Sequence, residues 1–431
     1  MPMTRTAPSF LLLASLALFT LSGCAGNHGR HTQEGKDAAQ VRMDQLKSGV
    51  QLQMAQQQFL AGDLDKARKS IETAITAMPT YAPAHVLRGR IMMEQGELEG
   101  ANQSFVTAQT SDPTSAEAHY FGGICRERFR QWQPAYEKYL HASELDRANP
   151  QYVTAAAEML VHLKQPERAQ ALLTERRADF PHNAAIVQSL GHLAMLNSDA
   201  ALAVTHYQDA RTLAPDDMAI LESLARAQVE AGKFADAEYN VAKLIDATTQ
   251  GSSRVSSSQR APAVGTFATA PLSRRDLQLL RIRCLIGLQR YAEARVLLVE
   301  QANEPDGQRD VATWIQLGHV SAKLEDAVRL RQVAAKLLSI SPKRYEGHSF
   351  RALALMIQKD FPAAEQAAIA GTNLAENDAS PWLVLATIQL RAGDRQGAMS
   401  SAQAAAAADP SSPAAQRLLA NLSATATVPA E

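Results

Sequence analysis

The sequence predicts an all-α fold assembled from one repeated pair of helices. Ala, Leu, Gln and Arg are abundant and aromatic residues make up only 5% of the chain, a mixture that favours helices over strands. Small side chains recur at a constant spacing over most of the chain, which is typical of repeat architectures. A length of 431 residues is long for one compact domain, so several domains or an elongated array are expected.

The repeat has a period of 34 residues. One alanine recurs at this spacing, at Ala67, Ala101, Ala135, Ala169, Ala203 and Ala237. Twelve residues before each of them stands a second small residue: Ala55, Gly89, Gly123, Ala157, Gly191 and Ala225. Twelve residues after four of them stands a proline, at Pro79, Pro113, Pro181 and Pro215. Two small residues per unit predict two helices in close contact, and each proline predicts the end of the second helix because proline cannot continue it.

Glycines mark the turn between the two helices of a unit. They stand where the first helix must stop, at Gly62, Gly96, Gly232 and Gly393. Glycine tolerates the left-handed backbone that commonly follows the last turn of a helix. The segments 62–67 and 232–237 therefore predict this turn together with the start of the second helix.

These features resemble the tetratricopeptide repeat family, whose unit is a pair of antiparallel helices. The resemblance covers residues 48–412 and implies a right-handed superhelical solenoid of about ten helix pairs. The predicted organisation is a first arm at 48–247 with about six repeats, a linker at 248–273, a second arm at 274–412 with about four repeats, and a capping helix and tail at 413–431.

The linker is predicted from a break in the period. After Ala237 the next matching alanine is Ala294, a gap of 57 residues, which is 34 plus 23. The surplus coincides with Thr248–Pro271, whose Ser, Thr, Gly and Pro content predicts a flexible insertion. The period then resumes. Gly318, Ala352 and Ala386 are 34 residues apart, and so are Ala364 and Ala398. Leu330 replaces the expected alanine, so the unit at about 311–344 matches less well.

The N-terminus has the pattern of an export signal. Arg5 precedes the apolar run Phe10–Leu21, which is too short for the ~20 residues that span a bilayer. Leu21-Ser22-Gly23-Cys24 resembles the bacterial lipobox, which implies acylation of Cys24 (palmitate among the lipids), removal of residues 1–23, and a lipidated tether at 24–47. Ala25, in place of the aspartate that retains lipoproteins in the inner membrane, implies the outer membrane. An ordinary signal peptide with an incidental cysteine is the alternative.

Charge and motifs argue against several other functions. Lys and Arg number 43 against 44 Asp and Glu, so the chain lacks the basic surplus of a nucleic-acid-binding protein. No P-loop, nucleophile elbow or HExxH signature occurs, so no catalytic site, cofactor or metal is predicted. His28 and His31 lack further ligands and are assigned to the tether. Cys125 and Cys284 lie too far apart to bond in a solenoid and are predicted to be buried free thiols.

The predicted functional site is a peptide-binding groove. In the family the first helices of the repeats line a concave surface that binds an extended or helical peptide. By phase, the groove positions are Tyr120, Ile124, Glu127, Arg128, Glu158, His162, Gln188, His192, Met195, Glu222 and Arg226. His319 shares the phase of His192, although a lightly packed histidine is the alternative reading of both.

The predicted role is protein–protein interaction at a bacterial cell envelope. The lipoprotein would be anchored in the bilayer, face the periplasm and act as a scaffold or assembly factor for a pilus, secretion, outer-membrane or polysaccharide export machine. Its partners would be envelope proteins or peptides. One alternative is the recruitment or regulatory subunit of a cell-envelope enzyme, and another is self-association through the edges of the solenoid.

Overall fold

A computed structural model describes residues 30–250, 271–375 and 377–424 of the chain. The expected signal peptide, Cys24 and most of the expected linker lie outside the described residues. The described chain is all-α, as predicted, and contains 21 α-helices. It divides into two compact units, unit 1 up to Gln131 and unit 2 from Trp132 onward, which are described separately.

Unit 1 holds the first five helices. They are α1 (Arg30–Leu60), α2 (Leu64–Ala77), α3 (Ala82–Glu94), α4 (Leu98–Ser111) and α5 (Ala116–Arg128). Each helix packs on the next one along the chain, and α1, α3 and α5 also contact one another in sequence. The first helices of successive repeats therefore share one face, which we call the A face.

Unit 2 continues the same alternation. Its helices are α6 (Trp132–Leu145), α7 (Pro150–His162), α8 (Pro166–Arg177), α9 (Ala184–Leu196), α10 (Ala200–Leu213), α11 (Met218–Glu230), α12 (Phe234–Gln250), α13 (Arg274–Gly287), α14 (Tyr291–Asn303), α15 (Val311–Lys323), α16 (Ala327–Ile340), α17 (Tyr345–Ile357), α18 (Phe361–Thr372), α19 (Ala379–Ala392), α20 (Arg395–Ala408) and α21 (Pro413–Ala424). Odd-numbered helices again contact each other, as α7 and α9 or α17 and α19 do.

The helices on either side of residues 251–270 share one core. Helix α12 packs directly on α13, and Val241 and Leu244 lie in one buried cluster with Leu277, Leu280 and Cys284. The insertion therefore interrupts the sequence period without interrupting the stacking of the helices.

The turn between the two helices of a repeat has the same conformation in ten places. The left-handed residue is glycine at Gly62, Gly96, Gly232 and Gly393, and it is Arg130, Lys164, Ser198, Gln289, Glu325 or Lys359 in the other six. In each turn the following amide donates to the carbonyl five residues back, as from Asp63 to Gln58 and from Gln165 to Leu160. This pair of features is the Schellman motif, which satisfies the last carbonyls of the first helix.

Pairs of side chains of matched size hold the two helices of a repeat together. In several repeats the small residue of the first helix faces the residue 16 positions later, whereas Gly318 faces Phe350. Gly89 faces Phe105, and a Cβ on Gly89 would lie 2.5 Å from Cε1 of that ring. Where alanine replaces glycine the partner is aliphatic, as for Ala157 with Leu173, which share one buried cluster. A larger residue on one helix is thus compensated by a smaller one on the other, which keeps the packing dense.

A polar side chain, buried at His85 and His119 and exposed at Gln416, ties the start of three helices to the preceding turn. The imidazole Nε2 of His85 donates to the Pro79 carbonyl at 2.7 Å, and His119 does the same to Pro113 at 3.1 Å. Gln416 donates to the Pro410 carbonyl from the equivalent position. The prolines that end the second helices therefore also supply an acceptor that orients the next repeat.

The two described cysteines are buried free thiols, as predicted. Burial raises the pKa of the Cys125 thiol to about 11 and that of Cys284 to about 11. Both therefore stay protonated at neutral pH and contribute to packing.

Helix α1 begins earlier than the first repeat requires. The expected tether ended at residue 47, but residues 30–47 are helical and continue without a break into the first repeat. Among the described residues, no helix is both long enough and apolar enough to cross a bilayer.

Candidate functional site

The A face of unit 1 contains a cation–aromatic stack built from three helices. The guanidinium of Arg90 on α3 lies 5.1 Å from the ring centroid of Phe59 on α1 and 4.8 Å from that of Phe121 on α5. Nη1 of Arg90 also lies 3.4 Å from a carboxylate oxygen of Glu117. The Arg90 side chain is 33% exposed, so the stack leaves part of a charged group available at the surface.

The four groove residues predicted in unit 1 differ in exposure. Tyr120 and Ile124 are 7% and 3% exposed, so they belong to the interior and offer little surface to a partner. Glu127 is half-buried and Arg128 is exposed, both in the last turn of α5. Phe59, Arg90 and Phe121 are also half-buried on the A face of unit 1, and they were not among the predicted groove residues.

In unit 2 the predicted residues His192, Glu222 and Arg226 meet around Tyr207. We call these four residues the Tyr207 cluster. The Tyr207 hydroxyl lies 3.0 Å from Nδ1 of His192 in a hydrogen bond, and the two rings meet edge to face at 5.4 Å. Nη2 of Arg226 donates to Glu222 at 2.7 Å. Helices α9 and α11 supply the three predicted residues, and α10 supplies the tyrosine beneath them.

Glycine at position 191 makes the Tyr207 cluster possible. A Cβ on Gly191 would lie 2.6 Å from Cε1 of the Tyr207 ring, so only glycine lets the ring reach the adjacent His192. The ring of Tyr207 is 1% exposed and packs among Ala203, Val204 and Leu224. The cluster therefore has a buried base, and His192 and Arg226 above it are half-buried.

Electrostatics keep His192 neutral. Burial lowers the pKa of His192, with a smaller contribution from the positive charge of Arg226, to about 4. Burial raises the pKa of Tyr207 above its usual range. At neutral pH the cluster therefore presents an uncharged imidazole, an uncharged phenol and one ion pair.

This pKa predicts a loss of stability in acid. Because the pKa of His192 is lower in the folded protein than the ordinary value of 6.5, the unfolded chain binds the proton first as pH falls. The stabilisation is complete above about pH 6.5 and is lost as pH falls toward about 4, amounting to roughly 1–2 kcal/mol after screening. Urea unfolding of His192→Gln should show a smaller stability loss between about pH 7 and pH 4.5 than wild type.

The control variant is His182→Gln, because His182 is exposed. Equal pH dependence in wild type and His192→Gln would contradict a neutral, buried His192.

Glu222 also fixes the chain where it re-enters the array. Its second carboxylate oxygen accepts the backbone N–H of Leu272 at 3.1 Å, immediately before α13. The side chain is 9% exposed. Glu222 is thus occupied by two partners from its own chain, and Arg226, which is half-buried, carries the accessible charge of this pair.

The remaining predicted groove residues lie on α7 and α9. His162 is exposed and stacks on Trp132, with ring centroids 4.3 Å apart and planes 11° apart. Glu158 and Gln188 are half-buried, and Met195 packs against the apolar base of the Tyr207 cluster. His319 on α15 is exposed and meets the ring of Phe350 edge to face. Among the described residues, no group of three or more His, Cys, Asp or Glu side chains is placed to hold a metal ion.

One segment of the chain matches a known protein family. Residues 189–253, which include the Tyr207 cluster, match the tetratricopeptide repeat family model. No curated protein sequence matches the chain significantly.

Three solved structures illustrate the structural similarity. Pseudomonas aeruginosa PilF is 16% identical over 49% of this chain and 95% of its own, with a TM-score of 0.42. PilW, a type IV pilus biogenesis factor, is 20% identical over 48% of this chain and 95% of its own, with a TM-score of 0.42. A tetratricopeptide repeat protein from Parabacteroides merdae is 12% identical over 72% of this chain and 98% of its own, with a TM-score of 0.38.

Proposed function

We propose that this protein is a lipid-anchored scaffold that binds protein partners at a bacterial cell envelope. The observation that carries the proposal is a half-buried arginine beside aromatic or imidazole rings on the A face, found in both units. Arg90 packs against two phenylalanine rings in unit 1, Arg226 pairs with Glu222 beside His192 in unit 2, and both arginines are about one-third exposed. Arginine and aromatic side chains in such settings are common anchors of protein interfaces.

The type of partner follows from the architecture. An array of helix pairs offers a long surface along which an extended or helical peptide can contact several repeats in turn. The A face mixes aromatic rings, arginines and a neutral histidine, so it suits a peptide with apolar side chains and acidic groups in alternation. The lipobox-like Leu21–Cys24 supports a lipid anchor and Ala25 supports the outer membrane, with the array in the periplasm and an envelope assembly as its partner.

Site-specific photocrosslinking in the native envelope tests this proposal. A photoreactive phenylalanine analogue at Arg128, His162 or His319 samples exposed positions on the A face. The matched control is Tyr239 on α12, which is 70% exposed but lies on a second helix of a repeat. We expect A-face positions to crosslink one common set of envelope proteins that Tyr239 does not capture. Identical products from Tyr239, or no protein product from any A-face position, would contradict the proposal.

A further inference from the structure

The N-terminal half of α1 projects beyond the helix on which it packs. Helix α2 is only 14 residues long, whereas α1 has 31. The residues of α1 that are buried against the repeat begin with Ser48 and continue with Leu52 and Ala55. Residues 33–43 are all exposed. About a third of α1 is therefore surface that is not buried against the first repeat.

An apolar stripe begins at the end of this exposed segment and continues along the outer side of α1. Met43, Leu46, Val50 and Met54 are 51%, 67%, 55% and 42% exposed. At 100° per residue these side chains fall within an arc of about 80°. The stripe lies on the opposite side of α1 from the buried Ser48 and Ala55, and its members Leu46 and Val50 border an open groove beside Tyr81.

Charges on α1 are sorted around this stripe. Lys36, Arg42 and Lys47 lie within about 80° of its centre on the helical wheel, whereas Glu34, Asp37 and Asp44 lie at least about 120° away. The two aspartates also accept hydrogen bonds along their own helix, from Gln33 to Asp37 and from Gln40 to Asp44, each at 3.0 Å. The apolar stripe is thus bordered by positive charge, and the negative charge lies on the side of the repeat.

We infer that this stripe lies on the surface of an anionic phospholipid bilayer. A helix whose apolar side is flanked by Lys and Arg binds in the plane of such a surface, its apolar side chains at the level of the acyl chains and its basic ones among the headgroups. This arrangement of charges favours a negatively charged surface over a second copy of the helix. In a parallel pair of helices, Arg42 and Lys47 would approach the same residues of the other copy and repel them.

The position of the anchor supports the same surface. This step rests on the proposed lipidation of Cys24, which stands six residues before the start of α1. Six residues reach at most roughly 20 Å, so an anchored chain holds α1 close to the headgroups. The stripe then orients the first repeat on the membrane, with the body of unit 1 on the periplasmic side of the helix.

The test uses a chain of residues 25–431, which lacks Cys24 and retains every described residue. Flotation with vesicles of phosphatidylglycerol and phosphatidylcholine in equal parts is compared with phosphatidylcholine alone. We expect binding to the anionic vesicles that weakens as salt is added. Leu46→Ser with Val50→Ser should abolish it, and Arg42→Gln or Lys47→Gln should each weaken it about fivefold, the equivalent of ~1 kcal/mol per basic residue.

Two matched controls lie on the same unit. Val41→Ser removes an apolar side chain that is 56% exposed on the acidic side of α1, and Lys66→Gln removes an exposed charge from α2. Neither should change vesicle binding, and circular dichroism checks that all variants remain helical. Equal loss from Val41→Ser, absence of binding to anionic vesicles, or a dimer in sedimentation that Leu46→Ser dissolves would overturn the inference. Because this chain has no Cys24, the result does not depend on whether the protein is lipidated.

Discussion

Replacing Cys24 by alanine is expected to release this protein from the washed membrane fraction. The lipobox-like Leu21–Cys24 supplies one thiol for acylation, and several acyl chains anchor a protein firmly because each buried methylene contributes about 0.8 kcal/mol. Without the thiol no chain can be attached, and the contact of α1 with lipid would be reversible and weakened by salt. Fractionation after a high-salt wash, together with labelling by radioactive palmitate, measures both effects.

The other thiols provide the control for this experiment. Cys125 is buried and protonated, so Cys125→Ala should leave both palmitate incorporation and membrane attachment unchanged. The opposite result has two parts: the Cys24→Ala protein stays in the washed membrane, and the wild type takes up no palmitate. It would mean that Phe10–Leu21 is an uncleaved anchor or that another segment holds the protein. Release of Cys24→Ala but not of Cys125→Ala is the result that the lipidation proposal requires.

The helix pairs could be predicted from sequence because the constraints on them are local. Close contact between two helices requires small side chains at fixed places, and a residue that ends a helix must stand at the end. Pro79, Pro113, Pro181 and Pro215 accordingly follow the ends of α2, α4, α8 and α10. The turns were predicted only in part, since the same left-handed backbone occurs at Arg130 and Lys164, where the sequence carries no glycine. There the surrounding hydrogen bonds impose the conformation.

The start of α1 was not predicted, because its composition suggested otherwise. Gly35 and the polar residues around it favour an unstructured tether, and glycine inside a helix costs about 1 kcal/mol. The observed helix continues through Gly35 and Gly49 and is supported from its C-terminal half, where Leu52 and Ala55 are buried in the first repeat. The packing of residues further along α1 therefore outweighs the low helix propensity of its first residues.

The period predicted which residues lie on the A face, but it could not predict how exposed they are. The period places a residue on the A face, yet whether it is exposed depends on the size of its neighbours. Ile124 is buried while Arg128, one turn later, is exposed. The stack of Phe59, Arg90 and Phe121 escaped prediction because its members occupy three different positions of the repeat. Only the contact between successive first helices brings them together.

Phe105→Ala is expected to be the most destabilising single change in unit 1. The ring is fully buried on α4, stacks on Phe121 with centroids 5.8 Å apart, and fills the space that Gly89 leaves on α3. Its removal opens a cavity between the two helices of the repeat, which typically costs about 3–5 kcal/mol. Amide hydrogen exchange in α3 and α4 measures this loss locally, which suits an array whose repeats need not unfold together.

A second experiment distinguishes the match in side-chain size between Gly89 and Phe105 from the loss of buried apolar surface. Gly89→Ala places a methyl group 2.5 Å from a ring that cannot move, and overpacking of this kind costs about 1–3 kcal/mol. Combining it with Phe105→Leu recreates the Ala157–Leu173 pair of a later repeat. We therefore expect the double variant to be more stable than the sum of the two single losses by at least about 1 kcal/mol.

Gly100→Ala is the matched control for this cycle. A Cβ there would also overlap a side chain, at 2.3 Å, but the contact is with the terminal methyl of Met92, which can move aside. Because alanine favours a helix by roughly 0.5–1 kcal/mol over glycine, Gly100→Ala should be neutral or slightly stabilising. Strict additivity of Gly89→Ala and Phe105→Leu, or equal losses for Gly89→Ala and Gly100→Ala, would show that the ring does not set the distance between α3 and α4. In that case the recurrence of glycine opposite an aromatic residue would need another physical cause.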